Sequence, residues 1–190
     1  MKRYIKSAIM DITQEDPEFQ LEWAGNINAP IDDLIKLASQ GDNWKARRRA
    51  IFTIKHIANS SNREKLFGGD PKLRNYLALI CLDSDLLSIF ADDPVDDVRW
   101  TVADEFTTPS ETLDKLSYDS YYYVRHDVAL NENTPDYTLA RLSKDEESYV
   151  REGVAENPKT PYAILSRLAN DESKYVREAV MKNENFKGAL

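Results

Sequence analysis

The sequence predicts an all-α protein, a solenoid of six to seven helix-pair repeats of about 26 residues each. Three observations predict it. The pairs Val98-Arg99, Val124-Arg125, Val150-Arg151 and Val176-Arg177 recur at a step of 26, and each is followed four residues later by Val102, Val128, Val154 or Val180. Thr108-Pro109, Thr134-Pro135 and Thr160-Pro161 repeat at the same step, each followed by two leucines three apart: Leu113 and Leu116, Leu139 and Leu142, Leu165 and Leu168. Aspartates Asp93, Asp119, Asp145 and Asp171 stand six residues before each arginine. One such unit cannot hide both faces of its helices, so stability must come from stacking units on one another.

Taken in order, residues 1–16 read as an N-terminal cap, in which Lys2, Arg3 and Lys6 form a solvated face. Residues 17–91 hold degenerate repeats. Phe19-Gln20 with Trp23-Ala24, Ala46-Arg47 with Ala50-Ile51, and Leu73-Arg74 with Leu77-Ala78 continue the second-helix register. Ala29-Pro30 with Leu34 and Leu37 marks an early first helix. Ser60 to Asp70 is the weakest stretch, with Ser60-Ser61-Asn62 and Gly68-Gly69-Asp70-Pro71 as loops. Residues 92–182 are the regular repeats. In each, threonine is expected to cap the first helix through its hydroxyl, with proline at the first helical position. The leucine pairs then share one face. The second helix starts near Tyr-Val-Arg and is expected to stop at Asn131 or Asn157, where asparagine tolerates a left-handed C-cap. Residues 183–190 read as a C-terminal tail, and the register shows no internal domain boundary across 1–190.

Composition excludes several function classes. The net charge of −8 and pI near 4.9 disfavour a nucleic-acid backbone as partner, because phosphate binding needs a basic surface. Lys45, Arg47, Arg48 and Arg49 beside Trp44 form the only dense basic cluster, read as one ladder arginine with solvated neighbours. Cys81 is the single cysteine, in an apolar context, and is expected to be a small buried hydrophobe rather than a metal ligand. No signal-peptide core or membrane-length apolar run appears, so the expectation is a cytoplasmic protein with no membrane contact. His56 and His126 lie on different repeats. No phosphate loop, nucleophile elbow, zinc-binding helix or complete calcium loop is present, so catalytic residues, metal sites and cofactors are expected to be none.

The P-xxx-L-xx-L…D…V-R-xx-V-A pattern resembles the leucine-rich repeat variant family and, more broadly, HEAT-like α-solenoids, over Asp92 to Met181 well and Glu18 to Asp92 loosely. The resemblance implies a right-handed superhelix, a short α- or 3₁₀-helix as the first element of each pair, and second helices lining the concave face. Some members of the variant family carry a cysteine-rich iron–sulfur segment, for which this chain has no residues. HEAT-like solenoids also include base-excision glycosylases and pigment lyases, which supplies an enzymatic alternative. A self-associating structural unit is a third reading.

Two residue sets stand out. The arginines Arg47, Arg74, Arg99, Arg125, Arg151 and Arg177, with Asp93, Asp119, Asp145 and Asp171, form either an anion-binding stripe or a structural ladder. The fixed spacing favours the ladder, each guanidinium serving an aspartate of its own or the next repeat and loop carbonyls. The second set is a strip opposite the valines: Trp100, Tyr123, His126, Tyr149, Glu152, Tyr175 and Glu178, with Asp97, Asp104, Asp127, Gly153, Glu156 and Lys182. Those tyrosines either pack over helix starts with only their hydroxyls in water, or form a surface for a protein or peptide partner. The leading expectation is a non-enzymatic scaffold that uses this strip.

Overall fold

A computed structural model describes residues 11–58, 66–80 and 83–187, and the calls on Lys2, Arg3, Lys6, Cys81 and the Ser60-Ser61-Asn62 loop lie outside them. The described residues are helices joined by turns, in two compact units, Met1–Cys81 and Leu82–Leu190.

In the first unit a 3₁₀ turn, Ile12–Gln14, precedes α1 (Pro17–Ala24), α2 (Ile31–Gln40), α3 (Trp44–Ala58) and α4 (Pro71–Ile80). Asp16 caps α1, accepting from Glu18 N and Phe19 N, with Pro17 at the first helical position where a missing N–H is harmless. Helix α2 buries Leu34, Ile35, Leu37 and Ala38 against α3, whose Ala46, Ala50, Ile54 and Ile57 follow the helical spacing. The Thr53 hydroxyl donates to Ala24 O at 2.7 Å and ties α3 to the end of α1. Arg74 is buried and donates to Gly69 O. Arg47, read from the sequence as its counterpart, is exposed, and among the described residues it donates only its Nε, to Ala38 O at 3.2 Å.

The second unit is the regular one. Helix α5 (Ser84–Phe90) is followed by α6 (Asp96–Asp104), α7 (Ser110–Leu116), α8 (Tyr122–Leu130), α9 (Asp136–Leu142), α10 (Ser148–Glu156), α11 (Tyr162–Leu168), α12 (Lys174–Lys182) and α13 (Glu184–Lys187). The long members α6, α8, α10 and α12 stack on one another in sequence, and α7, α9 and α11 each pack on the long helices before and after them. Val98, Val102, Val124, Val128, Val150, Val154, Val176 and Val180 are all fully buried. Each contributes about 1.5–3 kcal/mol relative to exposure, which no isolated nine-residue helix could recover alone. The short helices are two-turn α-helices that bury Leu113, Leu116, Leu139, Leu142, Leu165 and Leu168.

Two local expectations are corrected. Thr108, Thr134 and Thr160 do not cap the helix that follows. Their buried hydroxyls donate backwards, to Val102 O, Val128 O and Val154 O at 2.5–2.6 Å, and satisfy carbonyls left open at the end of the preceding helix. The prolines themselves hold the N-cap position in extended backbone. Nor do the asparagines turn left-handed. Asn131, Asn157 and Asn183 sit in extended conformation, and no described residue has positive φ. They serve through their amides instead: Asn157 Nδ2 donates to Ala129 O and Asn131 O at 2.7 and 3.0 Å, and Oδ1 accepts from Lys159 N at 2.8 Å. Asn131 and Asn183 repeat the pattern, each stitching one repeat to the previous one.

Candidate functional site

The stack presents two periodic side-chain arrays. The first is the arginine ladder. Arg125 lies on α8 one residue after a buried valine, so its guanidinium reaches over the edge of the stack. Nε and Nη2 donate to both oxygens of Asp145 at 2.8 and 2.9 Å, and Nη1 donates to Asp119 O at 2.9 Å. Arg99 does the same with Asp119 and Asp93 O, and Arg151 with Asp171 and Asp145 O. Each carboxylate also accepts from the backbone two residues on, at Tyr121 N, Glu147 N or Ser173 N, which starts the next long helix. Only about a tenth of the Arg151 and Asp171 side chains is exposed. The arginine side-chain bonds raise the guanidinium pKa further, and the Arg151 bond holds the Asp171 carboxyl below its ordinary value. A guanidinium whose three nitrogens all donate within the stack in this way has little left to offer a phosphate.

The second array is the strip. Trp100, Tyr123, Tyr149 and Tyr175 are 43, 37, 41 and 57% exposed. Ring centroids are 6.4 Å apart from Trp100 to Tyr123 and 5.8 Å from Tyr123 to Tyr149, with interplanar angles of 49° and 72°. Tyr122 backs Tyr123 as a stacked ring at 4.2 Å, and its hydroxyl is pushed up to about 12, first by the hydrogen bond it shares with Tyr123. Tyr175 carries the Lys174 ammonium 4.8 Å above its ring.

His126 is not part of the open surface. It is buried, with its ring stacked on Tyr149 at 3.8 Å and 5°, and Nδ1 lies 2.8 Å from Asp127 Oδ1. Trp100 Nε1 donates to the other oxygen of the same carboxylate. Asp127 therefore fixes the indole of one repeat and the imidazole of the next, and the imidazole supports Tyr149 of the third. Gly153 makes room for this: a Cβ there would stand 3.1 Å from His126 Cδ2 and from His126 O.

Carboxylates line the strip. Glu152 is raised above the usual range by burial first and by Glu156 second, and Asp104 by burial and Asp127. Burial also raises the Tyr149 hydroxyl, helped by Asp127, Glu152 and Glu156. Beside the strip a shallow cleft of about 430 Å³ is lined by Asp104, Phe106, Asp127, Leu130, Glu132 and Lys159. Glu178 stands on α12 near the single cation Lys182 of that helix end. Among the described residues no group of three His, Cys, Asp or Glu side chains is placed to hold a metal ion, and no helix is long and apolar enough to cross a membrane.

Asn131, Asn157 and Asn183, and the threonines that donate backwards, were available to sequence reasoning as residues recurring every 26 positions. The signal was periodicity without an apolar side chain, which means a repeated hydrogen bond.

The chain matches no protein-family model and no curated protein. Among solved structures it is similar to a leucine-rich repeat variant described as having a novel repetitive protein structural motif, at 22% identity over 84% of this chain and 79% of that one, with a TM-score of 0.33. It is also similar to an engineered protein at 19% identity over 94% of each chain, with a TM-score of 0.35. The repeat architecture stands on the register, stacking and ladders described above.

Proposed function

We propose that this chain is a non-enzymatic repeat scaffold that binds a protein or peptide partner along the exposed strip of α6, α8, α10 and α12. The observation that carries this reading is the unbroken line of half-exposed rings from Trp100 through Tyr123 to Tyr149. Leaving large aromatic area in water forgoes burial energy of about 25 cal/mol per Å². Rings held rigid by neighbours lose little conformational freedom on binding, which suits them as contact anchors. The Asp127 bridge and the His126 stack supply that rigidity. The acidic surround disfavours nucleic acid, whose phosphates would meet Asp104, Asp127, Glu152 and Glu156.

The test is display of a random peptide library on the purified chain, with enriched peptides titrated against a Tyr123→Ala/Tyr149→Ala/Tyr175→Ala variant shown by circular dichroism to be folded. Loss of affinity of at least about thirtyfold, one hot-spot residue's worth, is expected. Equal binding to the folded variant rejects the strip.

A further inference from the structure

We infer that the segment recognised by the strip is an extended chain carrying arginines at alternate positions, their guanidiniums seated on the rings of Trp100, Tyr123 and Tyr149. This rests on the reading that the strip binds a peptide, and it adds the chemistry and spacing of the ligand. An extended strand advances about 3.3 Å per residue, so side chains on one face recur at about 6.6 Å. The ring-to-ring steps of 6.4 and 5.8 Å match that interval and not the spacing of every third residue. Alternate side chains of a single extended segment can therefore meet successive repeats without bending.

The electrostatics select the charge. Carboxylates flank both ends of the ring line: Trp100 is bonded to Asp127, and Asp127, Glu152 and Glu156 act on Tyr149. A cation over an aromatic face is attracted by the ring quadrupole, and nearby carboxylates add to the attraction. Burial and Glu156 disfavour the Glu152 charge, His126 and Lys182 offset part of that, and an incoming cation favours the charge further. Trp100, Tyr123 and Tyr149 each keep more than a third of their surface in solvent, and a flat guanidinium stacks on such an exposed ring while its edge donates to a carboxylate. The chain already uses this pairing elsewhere, with the Arg141 guanidinium 3.9 Å over the Tyr118 ring.

The test compares two seven-residue peptides of one composition by fluorescence polarisation on the full chain at physiological salt: Ser-Arg-Ser-Arg-Ser-Arg-Ser, and Arg-Ser-Ser-Arg-Ser-Ser-Arg. The alternating peptide is expected to bind at least about fivefold more tightly, because the other turns its middle arginine away from the rings. Tyr123→Phe should keep that preference and Tyr123→Ala should abolish it. Equal affinities for the two peptides, or no saturable binding by either, overturn the inference. The outcome separates from the broader reading. If displayed peptides are captured through the tyrosines but lack alternating cations, the spacing inference fails and the peptide-binding strip stands. If no displayed peptide depends on the tyrosines, the strip itself is rejected.

Discussion

Replacing Arg151 by alanine is the sharpest single perturbation of the stack. The side chain makes two bonds to the Asp171 carboxylate, one to Glu172 Oε1, and two to the carbonyls of Asp145 and Glu146. Truncation leaves Asp171, itself about nine-tenths covered, with Ser173 N as its one remaining donor among the described residues, and takes a donor from two loop carbonyls. Breaking a buried ion pair from one side costs about 3–5 kcal/mol, and a fully exposed pair about 0–1 kcal/mol. The small residual exposure places the expected loss at the lower end, about 3 kcal/mol. Arg177 supplies an internal control. It makes the two carbonyl bonds, to Asp171 O and Glu172 O at 2.6 and 2.9 Å, and no carboxylate bond among the described residues. Its loss is therefore expected to cost about 1 kcal/mol. Urea unfolding followed by circular dichroism gives both numbers, read as midpoint shifts at unchanged slope. If Arg151→Ala is no more costly than Arg177→Ala, the carboxylate arm of the ladder contributes nothing and the reasoning is refuted.

Four further outcomes follow from the same geometry. Asn157→Ala should destabilise by about 1–3 kcal/mol in the same unfolding assay, because it removes the side-chain donor to Ala129 O and the acceptor of Lys159 N, while Asn131 O keeps the Thr134 N–H. Thr134→Val keeps the shape and removes the hydroxyl bonded to Val128 O. It should cost about 1–2 kcal/mol, whereas a surface helix cap would show the loss in α9 helicity alone. Gly153→Ala gains about 0.5–1 kcal/mol of helix propensity but forces its methyl against His126. Overpacking of about 1–3 kcal/mol should win, with the His126 and Tyr149 ring resonances shifting together in NMR spectra. Acid titration of stability should show two regimes. Glu152 and Asp104 have raised folded pKa values, so their penalty is relieved as pH falls from neutrality. Asp171 and Asp114, the latter accepting from Arg141 Nη2 and the Thr138 hydroxyl, have depressed ones, so the stability they contribute is present above about pH 4 and is lost as pH drops through their folded values. A melting temperature that falls steadily from pH 7 to 5 would contradict this ordering.

The all-helical repeat architecture was legible because valine and leucine spacing reports which face is buried, and burial of a nine-residue helix requires a neighbour. The ladder was legible in part. An aspartate six before each arginine is visible in the sequence, yet that aspartate supplies only its carbonyl. The carboxylate comes from the aspartate 20 residues later, a contact across repeats that spacing within one repeat does not specify. His126 shows the same limit. A helical wheel places it opposite the valines, but Gly153 of the next repeat lets the neighbouring helix close over it. Thr134 and Asn157 were misassigned because cap preferences describe isolated helix ends, whereas here each end is completed by a side chain that also holds the following turn. In the first unit the position of the ladder aspartate 20 residues after Arg47 holds Phe67, so Arg47 keeps the register without a carboxylate at that place.

The central claim is that the rings of consecutive long helices form one ligand-facing line. It is tested most directly by following the Trp100 indole N–H and the amides of residues 123, 149 and 175 in ¹⁵N–¹H spectra while the alternating-arginine peptide is added. These signals should move together and saturate at one affinity, with the amides around Tyr137 and Tyr162 on the short helices unmoved. Shifts confined to the short helices, or a Trp100 signal that stays in place while peptide binds, would contradict it.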